Sequence, residues 1–326
     1  MTRLLNKLVP GVYVPTLTFF NAKDESLDLE STSLHVTRLV KAGVAGIVAL
    51  GSNGEVCNLN DEERTRTIAT IRDTLNLVGH ESMPIIAGVS QQSVVNCVSS
   101  CIDAYNAGAD AGLIIAPSYY RHAITNDLLV EFFTQVADKS PVPLVLYNFP
   151  GVVAGIDLDS DLIIRLSRHP NIIGVKFTCG NTGKLSRVVG ATKAWSPLNH
   201  PKGSSISDGD FVAFAGMADF VVPALALGGF GVISGAANLI PKTIVSVYNS
   251  YVDGDAEAAW EAQSKLSEAD WALTKIGIWG SKEALQHYQG YGSYMRSPAK
   301  RLTPSEANIM LESISPFLDA EKVFDS

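Results

Sequence analysis

A lysine in the middle of an apolar segment is the first residue of this sequence that could do chemistry. Lys176 lies within IIGVKFT (172–178), and the alternation of a β-strand places Gly174 and Thr178 on its own face. Moving a charged amine into an apolar interior costs free energy, so burial favours the uncharged form. An uncharged amine is the nucleophile that forms Schiff bases with ketones. The alternative is an amine that pairs with a buried acid or extends to the surface.

A tyrosine lies near the end of the apolar segment before Lys176, at Tyr147 in PLVLYN (143–148). If the two segments are neighbouring parallel strands, Tyr147 and Lys176 lie side by side at their carboxyl ends. Imine formation must protonate a departing hydroxyl, and bond cleavage must move a second proton, so a phenol beside the amine can act as a proton shuttle. The alternative is a strand-end aromatic whose hydroxyl is bonded locally.

A short polar turn, GSNGE (51–55), follows another apolar segment. Its glycines flank Ser52 and Asn53, so the turn can direct backbone N–H groups and two side-chain donors at a carboxylate. The alternative is an ordinary turn in which Asn-Gly supplies a positive φ. We assign Glu55 to structure and not to catalysis.

Alternating strand and helix patterns must position these residues. Short segments rich in valine and isoleucine, apolar on both faces, are typical of buried parallel strands. They are 11–20, 45–50, 84–89, 111–117, 143–148, 172–178, 211–216 and 230–236. Amphipathic patterns predict helices at 31–42, 61–77, 92–107, 125–138, 158–168, 182–193 and 218–227, with Asn60 as an N-cap. Glycines in KAGVAG, NAGADAG and ALGGFG are predicted to end helices in a left-handed conformation.

This repeat predicts an α/β fold, a closed (β/α)8 TIM barrel whose functional groups lie at the carboxyl ends of the strands. A doubly wound open sheet is the alternative, but VPTLTFFNAKD after the first strand contains no glycine-rich phosphate loop. Residues 1–240 are predicted to form the barrel with the catalytic site. Residues 241–326 contain only helical patterns and are predicted to form a C-terminal extension packed on the barrel.

Composition narrows the function classes. The 326 residues are 46% apolar and carry a net charge of −8, so a basic surface for nucleic acid is not expected. No stretch reaches the roughly 18 apolar residues of a membrane helix, and the N-terminus resembles no targeting segment, so we expect a cytoplasmic protein. The four cysteines form no CxxC pair and the six histidines no cluster, so we expect reduced thiols and no metal site.

Four motifs together resemble the dihydrodipicolinate synthase/N-acetylneuraminate lyase family of class I pyruvate-dependent aldolases. They are GSNGE, YNFP, IIGVKFTCGNTGKL and GFGVISGAAN, at the ends of the second, fifth, sixth and eighth predicted strands. The resemblance implies that Lys176 forms a Schiff base with the substrate and that Tyr147 shuttles protons. It implies that Ser52 and Asn53 bind the carboxylate of a keto acid such as pyruvate, with Ser52 also relaying protons to Tyr147. No metal or organic cofactor is implied, because the covalent imine activates the substrate.

The resemblance also implies an oligomer. A relay tyrosine of the family matches Tyr119 in APSYYRH, and in many members it comes from the neighbouring subunit. We therefore expect at least a dimer, and a homotetramer built as a dimer of dimers. Gly216 and Ile233 match backbone positions that contact substrate, and Thr178 and Ser234 are expected to bind its hydroxyls.

One departure from the family pattern concerns the substrate. Members that make dihydrodipicolinate have an arginine shortly after Y-N-x-P, whereas this chain has Val152, which cannot hold a carboxylate. The segments PGVYVPT and KFTCGNTGKL resemble the sequences of fungal aldolases that cleave 3-deoxy-hexulosonates. We therefore expect cleavage of a 2-keto-3-deoxy sugar acid to pyruvate and a short aldehyde such as glyceraldehyde.

Other substrates and functions stay open on the sequence alone. A 4-hydroxy-2-oxoglutarate aldolase, giving pyruvate and glyoxylate, is the main alternative, with Arg121 as a candidate for its second carboxylate. Dihydrodipicolinate synthesis, a hydratase using the same imine, and a non-catalytic barrel that binds a keto acid are the others.

Overall fold

The computed structural model describes residues 4–201, 203–292 and 294–325. Eight parallel strands form a closed barrel in which each strand pairs with the next and the eighth pairs with the first. They are β1 Gly11–Pro15, β2 Gly46–Ala49, β3 Ile85–Gly88, β4 Ala111–Ile115, β5 Leu144–Asn148, β6 Ile172–Phe177, β7 Val212–Ala215 and β8 Gly231–Ile233. The predicted barrel is confirmed, and each predicted apolar segment contains one of these strands.

Helices follow the strands in the predicted alternation. They are α1 Leu29–Lys41, α2 Asp61–Leu77, α3 Val94–Ala107, α4 Asn126–Lys139, α5 Ser160–Leu166, α6 Thr182–Thr192, α7 Val221–Ala226, α8 Pro241–Val252, α9 Ala256–Gln289 and α10 Pro304–Lys322. Asn60 caps α2 as predicted, in a reciprocal pair of hydrogen bonds with Glu63. Gly108 ends α3 at a φ of 107°, a conformation that favours glycine.

Two packed layers fill the molecule. Apolar side chains of the helices pack on the outer face of the barrel and form the larger core. Inside the barrel, a smaller cluster includes Tyr13, Val48, Phe214 and Phe230. The rings of Tyr13 and Phe214 meet edge to face, with their centroids 5.3 Å apart. These side chains fill the barrel interior, as the fold requires.

Helix α9 crosses the carboxyl end of the barrel. It lies against the short turns Ala218–Phe220 and Gly235–Asn238, which follow β7 and β8. Its helical path is interrupted at Gly277, where φ is 65° and ψ is −167°, a conformation confined to glycine. None of the helices in the described ranges combines the length and apolar character needed to cross a membrane. The division of the chain at residue 240 into barrel and extension stays a prediction.

A buried histidine ties α1 to the carboxyl end of the barrel. The two ring nitrogens of His35 lie 2.9 Å from the hydroxyl of Tyr291 and 2.9 Å from the side-chain oxygen of Asn238. Asn238 in turn donates to the carbonyl of Pro15 at 3.0 Å. Burial, helped by the charge of Arg38, lowers the pKa of His35 to about 3. His35 is therefore neutral over the physiological range of pH.

A buried ion pair ties the GSNGE turn to α9. Lys282 is fully buried, and its amine donates to the carboxylate of Glu55, which is 5% exposed. Burial lowers the pKa of Lys282, while the charge of Glu55 opposes that shift. Glu55 and Leu50, at the two ends of the turn, both have positive φ, 51° and 59°. The structural role expected for Glu55 rests on this contact, which fixes one end of a strained turn.

The neutral state of His35 can be tested with His35→Gln. In the unfolded chain His35 binds a proton below a pKa of 6.5, whereas in the fold it does so only near 3. Its contribution to stability is therefore present above pH 6.5 and is lost as the pH falls towards 3. The difference in Tm between wild type and His35→Gln should narrow from pH 8 to pH 5 in thermal unfolding followed by circular dichroism. A difference that stays constant over this range would contradict the assignment.

The ion pair between Lys282 and Glu55 predicts that substitutions of its two members have non-additive effects on the free energy of unfolding. Lys282→Met leaves the carboxylate of Glu55 buried without a counter-charge, which should lower the free energy of unfolding by about 3–5 kcal/mol in urea titrations. The double variant Glu55→Gln/Lys282→Met buries no unpaired charge and should recover much of that loss. Destabilisation of the double variant equal to the sum of the two single losses would show that the pair does not hold the turn.

Candidate active site

A cavity of about 360 Å³ lies at the carboxyl end of the barrel. Its walls come from residues on or just after β1, β2 and β5 to β8, and from one face of α9. They are Pro15, Asn53, Tyr147, Phe149, Lys176, Thr178, Gly216, Met217, Gly235, Ala236, Asp270, Leu273, Thr274, Gly277, Ile278 and Ser281. Five of the residues selected from the sequence, Asn53, Tyr147, Lys176, Thr178 and Gly216, therefore face one space.

The amine of Lys176 lies in this cavity without a counter-ion. Lys176 is on β6, is 4% exposed, and its Nζ lies 4.3 Å from the centre of the Tyr147 ring. Within the described part of the chain, the buried amines of Lys184 and Lys282 pair with Asp157 and Glu55, whereas no carboxylate lies within 4.0 Å of the Lys176 amine. Neither a structural ion pair nor extension to the surface explains Lys176.

Tyr147 lies beside Lys176, at the paired position of the neighbouring strand. The register of β5 and β6 places the two residues opposite each other. The hydroxyl of Tyr147 lies 3.4 Å from the hydroxyl of Ser52. Ser52 does not itself line the cavity but joins it through Tyr147. The hydroxyls of Tyr147 and Ser52 are therefore neighbours, and the amine of Lys176 lies against the ring of Tyr147.

The GSNGE turn presents donors at the wall of the cavity. Its own backbone hydrogen bonds use the N–H groups of Gly54 and Glu55. Throughout the described ranges, no acceptor is bonded to the N–H of Ser52 or of Asn53. Gly235 lies so close to the Asn53 amide that a Cβ there would come within 2.6 Å of its nitrogen. Close packing therefore positions the side chain of Asn53.

Thr178 and Gly216 meet just after the ends of the adjacent strands β6 and β7. A Cβ on Gly216 would lie 2.2 Å from the Thr178 hydroxyl and 2.5 Å from its backbone nitrogen, so glycine is needed for this approach. The Thr178 hydroxyl is buried and has no hydrogen-bond partner among the described residues. A buried polar atom without a partner is rare and costly in a folded protein. This hydroxyl is a candidate for contact with a ligand.

Ile233 and Ser234 lie just behind the wall. Ile233 belongs to the buried cluster inside the barrel, and Ser234 is fully buried. The next two residues, Gly235 and Ala236, line the cavity instead. The hydroxyl of Ser234, like that of Thr178, has no partner among the described residues. The roles expected for Ile233 and Ser234 stay predictions.

Three other residues considered from the sequence lie away from the cavity. Tyr119 is 79% exposed and its ring packs edge-on against Tyr120, 5.0 Å away. Arg121 is exposed, and its guanidinium donates to the carbonyl of Ala154 at 3.2 Å. Val152 is 48% exposed in the turn after β5. Within a single chain, Tyr119 does not reach Lys176, and no arginine is among the described residues that line the cavity.

Sequence reasoning missed the wall formed by α9. Asp270, Thr274, Gly277 and Ser281 all line the cavity, although the segment was expected only to pack on the barrel. The sequence around Asp270 contains a signal for this wall. Asp270 lies four residues after Leu266 and three before Leu273, both buried, so the helical period places an acid on the packed face.

Asp270 is the acidic group among the cavity residues. It is 3% exposed, and the backbone N–H of Asp219 donates to its carboxylate at 3.1 Å. Burial, with a further contribution from the charge of Asp219, raises the pKa of Asp270 to about 7. Its carboxyl group is therefore partly protonated near neutral pH, whereas an exposed aspartate is ionised there.

Two buried thiols and the possible metal ligands are the candidates for a second site among the described residues. Cys97 and Cys101 are buried in α3, and burial raises the pKa of these thiols to about 12 and about 11. Both are therefore protonated at neutral pH and poor nucleophiles. Across the ranges that the structure describes, no three histidine, cysteine or acidic side chains are grouped so that they could hold a metal ion.

Comparison with known proteins places this geometry in a family. The chain is 48% identical over 324 residues to an L-threo-3-deoxy-hexylosonate aldolase from Aspergillus niger, and the match covers 97% of each chain. It is 43% identical over 319 residues to "Probable 4-hydroxy-2-oxoglutarate aldolase, mitochondrial" from Emericella nidulans, covering 98% of each. The crystal structure of YagE from E. coli K12 in complex with pyruvate is 28% identical, with a TM-score of 0.80, over 94% of this chain and 99% of that one.

The family model gives the same result over nearly the whole length. The model of the dihydrodipicolinate synthetase family matches residues 8–315, which include all eight strands and the cavity wall from α9. The resemblance inferred from the four motifs is therefore confirmed. The chain belongs to the dihydrodipicolinate synthetase family.

Proposed function

We propose that the protein is a class I aldolase that cleaves a 2-keto-3-deoxy sugar acid to pyruvate and a short aldehyde. The observation that supports this most directly is the buried amine of Lys176, which has no carboxylate partner and lies beside Tyr147 in the cavity. A desolvated amine without a counter-ion is suited to attack a ketone. A lysine with a purely structural role would be paired, as Lys282 is.

The proposed reaction passes through covalent intermediates on Lys176 and moves a proton from the C4 hydroxyl to C3. The Lys176 amine adds to C2 of the keto acid, and loss of water gives an iminium ion. Tyr147 takes the proton of the C4 hydroxyl and the C3–C4 bond breaks; its electron pair forms the C2=C3 bond of an enamine while the π electrons of the iminium C=N bond move to nitrogen. The aldehyde leaves, and the enamine of pyruvate regains at C3 the proton that was taken from the hydroxyl. Hydrolysis of the imine then releases pyruvate and restores the amine.

Residues near Lys176 are suited to proton relay and to binding the carboxylate of the substrate. The hydroxyl of Ser52, 3.4 Å from that of Tyr147, is placed to relay its proton. The unbonded N–H groups of Ser52 and Asn53 provide donors for the carboxylate of the keto acid. The iminium ion supplies the electron sink that a metal ion supplies in class II aldolases, so neither a metal nor an organic cofactor is required.

The neutral tail of a sugar acid fits the cavity better than a second carboxylate. Of the described residues that line it, Lys176 alone has a basic side chain, which the mechanism uses to bind C2, and Arg121 lies elsewhere. The relative from Aspergillus niger is named for a 3-deoxy sugar acid. The second candidate, 4-hydroxy-2-oxoglutarate, has the support of the name of the Emericella nidulans relative. Val152 stands where members that make dihydrodipicolinate have an arginine, which disfavours dihydrodipicolinate synthesis as the function.

We also propose a homo-oligomer, with Tyr119 relaying protons in the cavity of a neighbouring subunit. The 79% exposure of Tyr119 in the single chain leaves its ring available for such a contact. A dimer is the smallest assembly that satisfies this arrangement, and a dimer of dimers is our preferred form. We propose that the protein is located in the cytoplasm, although the name of the Emericella nidulans relative includes the word mitochondrial.

Lys176→Ala should abolish turnover without unfolding the protein. The variant loses the only nucleophile that the mechanism uses, and it breaks no ion pair within the described residues. Release of pyruvate from a 3-deoxy-hexulosonate, coupled to NADH oxidation by lactate dehydrogenase, should fall to background. The Tm should stay within a few degrees of wild type.

Lys265→Ala is the matched control, because it removes an amine that is 79% exposed on α9. It should retain wild-type turnover. Activity of Lys176→Ala above about one hundredth of wild type would exclude the Schiff-base mechanism, since loss of a covalent nucleophile costs far more than that.

A further inference from the structure

Few of the described side chains that line the cavity are acidic or basic. One lining residue carries an amine, Lys176, and one carries a carboxylate, Asp270. Lys176 is on β6, whereas Asp270 reaches the same space from α9. In the proposed reaction Lys176 is bonded to C2, next to the first carboxylate of the substrate. The described lining has no second basic side chain for the far end of the substrate.

The remaining polar groups of the lining bind hydroxyls better than charges. The buried Thr178 hydroxyl has no partner among the described residues. Thr274 and Ser281, on the same helix as Asp270, add two further hydroxyls to the lining. Hydroxyl groups both donate and accept hydrogen bonds, so they pair well with the polyol end of a sugar acid. They do not neutralise a carboxylate.

We propose that Asp270 is a specificity-determining residue, which hydrogen-bonds the hydroxyl-bearing tail of the substrate and excludes a tail that ends in a second carboxylate. The proposal rests on the proposed aldolase function and adds to it the residue that selects the substrate. It assigns to α9 a direct part in recognition. The selected class is a 2-keto-3-deoxy acid with neutral hydroxyls beyond C4.

The environment of Asp270 favours this selection. Burial and the nearby charge of Asp219 raise the pKa of Asp270 to about 7, so its carboxyl is partly protonated near neutral pH. A protonated carboxyl donates one hydrogen bond and accepts others, which suits an alcohol. A second carboxylate placed beside it has to face a like charge or await further protonation of Asp270. Like-charge contacts in a desolvated site weaken binding strongly.

The test compares two substrates in three enzymes. For wild type, Asp270→Asn and Asp270→Ala, kcat/KM is measured by pyruvate release from a 3-deoxy-hexulosonate and from 4-hydroxy-2-oxoglutarate. Wild type should favour the sugar acid. Asp270→Asn removes the charge at nearly constant shape, so the ratio of the two kcat/KM values should fall about tenfold or more. Asp270→Ala should also lose the hydrogen bond, so its kcat/KM for the sugar acid should fall below that of Asp270→Asn.

Glu268→Gln is the matched control, because it removes one negative charge from an exposed position on the same helix. It should keep the wild-type ratio, which separates a local contact from a change in net charge. Thermal unfolding of each variant shows whether it is folded.

The outcomes separate the two proposals. An unchanged ratio in folded Asp270→Asn or Asp270→Ala overturns the role of Asp270 and leaves the aldolase function intact. Equal kcat/KM values of wild type for the two acids would also overturn the role of Asp270 and leave the aldolase function intact. No pyruvate from either acid with wild-type enzyme overturns the proposed function and the role of Asp270 together.

Discussion

A buried amino group with no carboxylate of the described residues within 4.0 Å is the feature on which the candidate site depends. A carboxylate beside an amine favours its protonated form, which does not attack a ketone. The closed barrel keeps Lys176 at 4% exposure, with the ring of Tyr147 against its amine. Strand pairing fixes that contact, because Tyr147 and Lys176 occupy paired positions of β5 and β6.

The long helix α9 contributes to the candidate site in two ways. Through Lys282 it is tied to Glu55 in the strained turn that carries Ser52 and Asn53. Through Asp270 and the residues on the same face it forms the wall opposite the strands. One helix therefore both fixes the turn proposed to bind the carboxylate of the keto acid and lines the space proposed for the rest of the substrate. The barrel supplies Lys176 and Tyr147, and α9 shapes the space around them.

Local patterns predicted the barrel and the contact between Lys176 and Tyr147, because each depends on short-range information. Alternation along β6 and the residue after it places Lys176 and Thr178 on one face, and strand order places Tyr147 next to Lys176. Asp270 could not be assigned to the site because it lies on a helix and not at a strand end, and nothing local shows that a helix far along the chain folds over the barrel mouth. The ion pair between Glu55 and Lys282 joins residues distant in sequence, so neither partner could be assigned from its own surroundings.

The most direct measurement is reduction of the enzyme by sodium borohydride in the presence of pyruvate, followed by mass spectrometry of its peptides. If Lys176 captures the ketone, the peptide that contains it gains the mass of a reduced pyruvate adduct, while peptides containing the paired lysines Lys184 and Lys282 do not. A pyruvate-dependent loss of activity should accompany the labelling. No added mass on the Lys176 peptide, under conditions in which the enzyme turns over, would contradict covalent catalysis at this residue.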